Sequence, residues 1–207
     1  MRTFARVMTS LVISAALAGG LTAVATPAGE HSANGEGTNR YVALRSLLPA
    51  RAQHFALSSP DLRDRGRIPL DSYAGVFGCT QANTQLRLAW HGAPSATRSY
   101  AVTMQDLDAP TNAGFWHWLA WDIPSTTRAL GRQLPAGAVP GTNDAGIVGY
   151  MGPCPPPGDI THRYQITVYA LDVDSLGLAS ATPPTVAAFT LGGHVLGYGR
   201  ITGTARR

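Results

Sequence analysis

The fold is decided by the stretch Ser99–Asp106, SYAVTMQD, in which apolar side chains recur at every second position. Tyr100, Val102 and Met104 fall on one face of an extended chain, because successive side chains of a β-strand point to opposite sides of the sheet. The same alternation carries Asp106 onto the apolar face at the end of the strand. The stretch therefore predicts a strand with one buried face and a carboxylate aimed inward.

Two later stretches place histidines in comparable positions. Residues 162–170 alternate in the same way, with His162 on the apolar face, and residues 115–121 are apolar on both faces except for His117. A run that is apolar on both faces is typical of a central strand. Burying an aspartate and two histidines is costly unless they find partners, so we expect these side chains to meet each other or a ligand.

The composition favours a mainly β protein. The 207 residues include 23 Gly and 15 Pro, and Gly- and Pro-containing turns separate segments that are short enough to be strands. We expect a mostly antiparallel architecture, with one short helix over residues 185–191. Residues 26–53 are predicted to form a flexible linker, and residues 54–207 a single domain of ordinary size.

The basic residues exclude several kinds of chemistry. All 16 are arginine, so a Walker-type phosphate loop and Schiff-base catalysis, which need a lysine, are excluded. Arg63, Arg65 and Arg67 form the densest basic cluster, but Asp61 and Asp64 lie among them, which favours a solvated loop over a phosphate-binding patch. We expect no nucleic acid partner.

The N-terminus has the pattern of a secretory signal peptide. Arg2 and Arg6 flank the start of an apolar run at residues 7–21, and small residues follow up to Ala25. We expect residues 1–25 to be removed, which leaves 14 Arg against 12 acidic residues, a net charge of +2. No cysteine follows the apolar run, which argues against a lipid anchor. The mature chain is expected to have no transmembrane segment and to be secreted or held in the cell envelope.

The two cysteines, Cys79 and Cys154, are 75 positions apart. A cysteine pair in an oxidising compartment usually forms a disulfide, which for a loop of this length would stabilise the fold by about 3–4 kcal/mol. Two free thiols remain the alternative, because nothing in the sequence shows that their Cα atoms approach each other.

Four motifs, taken together, resemble one family. They are DLDAP at 106–110, FWHW at 115–118, GYMGPCPP at 149–156 and HRY at 162–164. Their order and spacing are similar to those of the phosphatidylethanolamine-binding protein family, in its bacterial branch related to Raf kinase inhibitor protein. The resemblance extends from about residue 55 to residue 203.

The resemblance implies a large central antiparallel sheet packed with a second sheet, and a small anion pocket at one end. The family binds phosphate, acetate or the phosphoryl group of phosphatidylethanolamine there, and it uses no cofactor or metal. Two histidines and a tyrosine hydroxyl would donate to the oxyanion, while the aspartate would orient an imidazole or take the ammonium of a headgroup. Position by position, the implied pocket residues are Asp106, His117, Cys154, Pro155, His162 and Tyr164, with Asp108 and Pro110 supporting the wall.

The chain departs from the family pattern at two places. It has Gln85-Leu86 where the family usually has Ser-Pro, and Leu107 where the family usually has Pro. The first change is expected to reshape a wall of the pocket.

Three other functions are alternatives to this interpretation. A zinc hydrolase would use Asp106, His117 and His162 as ligands, but the chain has no His pair at helical spacing. A serine hydrolase is disfavoured because no Gly-x-Ser-x-Gly occurs. A secreted protease or kinase inhibitor that acts on a protein partner through its surface is the stronger alternative.

Overall fold

The computed structural model describes residues 48–207, so the predicted signal peptide and most of the predicted linker lie outside the described residues. The described part contains no helix that is both long and apolar enough to cross a membrane. Its strands are β1 (Gln53–His54), β2 (Ala56–Ser58), β3 (Leu88–His91), β4 (Ser99–Asp106), β5 (Phe115–Pro124), β6 (Ala129–Leu130), β7 (Val139–Pro140), β8 (His162–Leu171) and β9 (Val195–Ala205).

The strands form two sheets, which confirms the predicted fold class. The large sheet has the order β1-β9-β8-β4-β5-β7, and the small sheet has the order β2-β3-β6. All the pairings are antiparallel except that of β1, which runs parallel to β9 at the edge of the large sheet.

The main core lies between one face of the large sheet and the small sheet. The alternating apolar face of β4 enters this core, and Tyr100, Val102 and Met104 are all buried there. Trp90 of β3 and Leu130 of β6 pack against them from the small sheet. Burial of this face is what fixes the register of β4, since a slip of one residue would turn its apolar side chains to solvent.

The opposite face of the large sheet is covered by one helix, α1 (Pro184–Gly192). Proline is well suited to a first helical position, where its missing N–H has no partner to lose. Ala187 and Leu191 of α1 pack on this face, and Leu48 and Ala52 pack against the same cluster from the other end of the described chain.

Candidate functional site

The topology brings Asp106, His117 and His162 to one edge of the large sheet. Because β4 is antiparallel to both of its neighbours, its last residue lies beside the first residues of β5 and β8. Asp106 is opposite Phe115 on β5 and opposite Tyr164 on β8. Asp106 and His162 are 3% and 1% exposed, so both point inward as the alternation predicts.

His117 faces the same side because of a β-bulge. Met104 pairs with Trp118 and Gln105 pairs with Trp116, which leaves His117 as the extra residue of β5. A bulge of this kind shifts the alternation of side chains by one residue. His117 therefore joins Asp106 and His162, whereas Trp116 packs toward the core under α1.

Asp106 and Asp159 hold His162 from both sides. Its Nδ1 lies 2.8 Å from Asp106 Oδ2, and its Nε2 lies 3.3 Å from Asp159 Oδ2. Both ring nitrogens therefore face carboxylates and both act as donors, which is the pattern of a protonated imidazolium. The other oxygen of Asp106 accepts the backbone N–H of Asp108, so Asp106 is anchored on both sides.

His117 is held in a different way. Its Nδ1 donates to the carbonyl oxygens of Met151 and Gly152, both at 3.1 Å. Because carbonyls can only accept, Nδ1 must carry the proton in the neutral ring, and Nε2 is then an acceptor. Nε2 lies 4.0 Å from Asp106 Oδ2, so it becomes a donor beside a carboxylate only after His117 takes up a second proton.

These surroundings shift the pKa values of the two histidines in opposite directions. Burial lowers the pKa of His117, and the charge of Asp106 opposes this without overcoming it. Burial also acts to lower the pKa of His162, but the hydrogen bonds and charges of Asp106 and Asp159 outweigh it and raise that pKa. His162 therefore keeps its second proton to higher pH than His117 does.

We expect NMR titration of the ring Cε1–H signals to show His117 titrating below the usual value of 6.5 and His162 above it. The sign for stability follows from linkage. The contribution of His162 is complete below pH 6.5 and is lost as pH rises through its raised pKa, whereas burial of neutral His117 costs stability as pH falls below 6.5. Titration of both rings near one common value would contradict this arrangement.

The loop that carries Met151 and Gly152 is fixed to the rest of the domain. Asn83 accepts the backbone N–H of Gly152 at 2.7 Å and donates to the carbonyl of Tyr150 at 3.0 Å. The hydroxyl of Tyr150 donates to the carbonyl of Ser72 at 3.1 Å. The carbonyl acceptors of His117 are therefore set in place before any ligand arrives.

A disulfide closes the same region. Cys79 is bonded to Cys154, with their Cα atoms 6.0 Å apart. The bridge ties the proline-rich loop after Gly152 to residues 75–79, where Phe77 adopts a positive φ of 56° and is 65% exposed. Phe77 is thus held at the mouth of the site.

A pocket of about 210 Å³ opens onto this cluster. Six of the predicted residues line it, namely Asp106, Pro110, His117, Cys154, Pro155 and His162. Phe77, Phe115 and Met151 also line the pocket, and none of them is among the implied pocket residues, although Phe115 and Met151 lie within the family motifs. The pocket therefore has a polar floor of Asp106 and the two histidines, with apolar walls.

The other two predicted residues lie outside the lining. Asp108 forms an ion pair with Arg163 at 2.7 Å, which together with a backbone hydrogen bond lowers the pKa of Asp108. Tyr164 is fully buried, with its ring 5.2 Å from that of His117, and burial and the charge of Asp106 raise its pKa. Its buried hydroxyl interacts with the carboxylate of Asp106.

The residues at the two departures from the family pattern lie outside the pocket lining. Leu86 is fully buried in the core between the sheets, and Gln85 is bonded to the carbonyl of Gly131. Neither of them lines the pocket, and nor does Leu107.

A metal site needs several ligands free to converge, and no group of three or more His, Cys, Asp or Glu within residues 48–207 is placed to hold an ion.

The fold and site define a two-sheet β protein with a pocket at the ends of its strands. The floor of this pocket is formed by Asp106, His117 and His162. The family model of the phosphatidylethanolamine-binding protein matches residues 58–206. The chain belongs to this family.

Individual relatives agree with the family match. The UPF0098 protein YbcL of Escherichia coli is 36% identical over 161 residues, which cover 74% of this chain and 88% of YbcL. LppC of Mycobacterium tuberculosis, named as a candidate lipoprotein, is 32% identical over 74% of this chain and 73% of LppC. The crystal structure of YbcL has a TM-score of 0.71 with 35% identity, covering 74% of this chain and 98% of that one.

Proposed function

We propose that the chain is an exported binding protein for small oxyanions and phospholipid headgroups, and that it binds them in the pocket above Asp106. The observation that carries the proposal is the cluster of Asp106, His117 and His162 on the floor of the pocket, within otherwise apolar walls. Charged groups in a partly buried site interact strongly with a ligand of opposite charge. The imidazolium of His162 and the protonatable Nε2 of His117 are the proposed anion ligands.

Each polar residue has a distinct role in this proposal. Asp106 holds His162 charged through Nδ1 and stands ready to stabilise a second charge on His117. The family resemblance also implies Tyr164 as the third donor, and its buried hydroxyl interacts with Asp106. Asp108 supports the wall by holding Arg163, and Pro110, Cys154 and Pro155 shape it.

Asp159 competes with an incoming anion for His162. It occupies Nε2 of His162 in the structure, and its side chain is 35% exposed, so an arriving oxyanion must displace it. Once displaced, Asp159 becomes a partner for the ammonium group of a zwitterionic headgroup. Asp106 is less suited to that role because both of its oxygens are already bonded.

We expect Asp159→Asn to bind sulfate about fivefold more tightly than the unchanged chain at pH 6, because removing one competing charge changes the free energy by roughly 1 kcal/mol. Calorimetric titration measures this. The matched control is Asp172→Asn, which removes a carboxylate just beyond the opposite end of β8 and should leave sulfate affinity unchanged. Equal or weaker binding by Asp159→Asn would show that Asp159 does not compete.

Phosphoethanolamine tests the headgroup part of the proposal. The unchanged chain should prefer phosphoethanolamine to inorganic phosphate, and Asp159→Asn should lose that preference because it removes the carboxylate beside Nε2 of His162. An unchanged preference in the variant would exclude Asp159 as the ammonium partner.

Export is proposed on two grounds. The N-terminal pattern is that of a secretory signal, and a disulfide between Cys79 and Cys154 suits an oxidising compartment. The name of the relative LppC supports a location in the cell envelope.

A further inference from the structure

A second cleft lies near the start of β8, where Thr161 precedes His162. It encloses about 430 Å³ and is lined by Arg67, Thr161, Thr204, Ala205, Arg206 and Arg207. The lining contains three guanidinium groups and no acidic side chain. The sequence separates Arg67 from the last two arginines by most of the domain, so only the fold brings these charges together.

The backbone around the cleft is firmly held. Ile68 N–H donates to the carbonyl of Thr204 at 2.9 Å, and Thr204 N–H donates to the carbonyl of Gly66 at 2.8 Å. This pairing fixes the segment of Arg67 beside the end of β9. Arg207 is held as well, since its guanidinium donates to the carbonyl of Gly78 at 2.7 Å and its main-chain oxygen accepts the N–H of Gly158 at 3.1 Å.

The charges in the cleft are not neutralised by neighbouring side chains. Across residues 48–207, no carboxylate lies within 4.0 Å of the guanidinium group of Arg67 or Arg206. This contrasts with Arg87 and Arg132, which both pair with Asp61. Holding like charges together costs free energy, and a ligand with several negative charges relieves that cost.

From this cleft we infer a second binding site, for a ligand that bears a phosphate group. A guanidinium group can donate two parallel hydrogen bonds to phosphate, and three such groups around one cleft suit a phosphate dianion. The hydroxyl of Thr161, which forms no hydrogen bond with another described residue, is a further donor at its rim. The inference does not depend on the pocket above Asp106.

One property separates this site from that pocket. Arginine stays charged at all accessible pH values, so binding in the cleft persists at pH 8, where His117 is neutral. Thr161 lines the cleft and the next residue, His162, lines the pocket, so the two sites are neighbours.

The test measures binding of inorganic phosphate by calorimetry at pH 8. We expect the unchanged chain to bind phosphate, and Arg67→Gln/Arg206→Gln to bind it at least about tenfold more weakly, as loss of two charge-assisted contacts requires. Arg51→Gln/Arg200→Gln removes the same charge elsewhere and should bind as the unchanged chain. Arg67→Lys/Arg206→Lys keeps the charge but loses the paired hydrogen bonds, and should lie between the two.

Vesicle sedimentation identifies the source of the phosphate. Phosphatidylcholine vesicles containing phosphatidic acid should pellet the protein through Arg67 and Arg206 if the ligand is a lipid. Binding of inorganic phosphate alone, also lost in Arg67→Gln/Arg206→Gln, assigns the site to a soluble phosphate. The inference is overturned if the unchanged chain does not bind phosphate at pH 8, or if both double glutamine variants bind it equally.

Discussion

Gly152→Ala is expected to lower the free energy of unfolding by about 3 kcal/mol. This is at the upper end of the usual loss of stability when a substitution adds atoms to a well-packed site. A Cβ atom at this position would overlap the carbonyl oxygen of Ser72 and would lie 2.8 Å from the carbonyl carbon of that residue. The obstacle is backbone rather than a side chain that can rotate away, so the loop must move. Urea unfolding of the two proteins measures the difference.

The matched control for this substitution is Gly131→Ala. A Cβ atom at Gly131 would meet nothing within 4 Å, and the residue does not have a positive φ. Its stability should therefore change little or increase slightly, since alanine restricts the unfolded chain. Equal losses in both variants, or no loss in Gly152→Ala, would show that the close approach of Gly152 to Ser72 does not constrain the loop.

The effect of Gly152→Ala should extend to the pocket. The carbonyl of Gly152 accepts a hydrogen bond from Nδ1 of His117, so displacing the loop weakens a contact that helps to keep that ring in place. The ring signal of His117 should change in the variant, whereas that of the exposed His91 should not.

His117→Asn is expected to weaken sulfate binding at pH 6 by at least about tenfold, which corresponds to the loss of one charge-assisted hydrogen bond. The amide nitrogen of asparagine can replace Nδ1 in donating to the carbonyls of Met151 and Gly152, so the loop should hold. Nothing then occupies the place of Nε2, which is the nitrogen that faces Asp106. The variant separates the anion-binding atom from the structural one.

Sulfate is the appropriate anion because its own charge does not change over the pH range of the experiment. Binding to the unchanged chain should strengthen as pH falls below 6.5, because His117, whose pKa is lowered, must take up a proton to donate through Nε2. His117→Asn should lose most of that pH dependence. His194→Asn, at an exposed histidine paired with Asp172, should retain both the affinity and the pH dependence. A pH profile unchanged by His117→Asn would remove this residue from the anion site.

Much of the fold and part of the site could be predicted from the sequence. Alternation along β4 and β8 is a local property, so it correctly placed Asp106 and His162 on the buried face. His117 was recognised only as a polar exception, because its orientation depends on a bulge whose position is set by pairing with Met104 and Gln105. Register between strands is not visible in the pattern of one strand.

Other features depended on contacts between distant parts of the chain. Asp159 reaches His162 only because the proline-rich loop folds back, and an aspartate beside a glycine looks like an ordinary turn residue. Arg67 was interpreted as part of a solvated loop because Asp61 and Asp64 lie near it in the sequence. Arg67 is exposed in the structure, as that interpretation expects, but its position beside the end of β9 depends on a pairing with Thr204 that the sequence does not show.

The central claim is that an oxyanion binds at His117 and His162, and NMR tests it most directly. Sulfate is titrated into the protein at pH 6 while the ring signals of the histidines are followed. The signals of His117 and His162 should shift together and saturate with one dissociation constant, while those of His54, His91 and His194, which do not line the pocket, serve as internal controls and stay in place. Absence of a saturable shift at His117 and His162, or equal shifts at these two and the three control histidines, would contradict the claim.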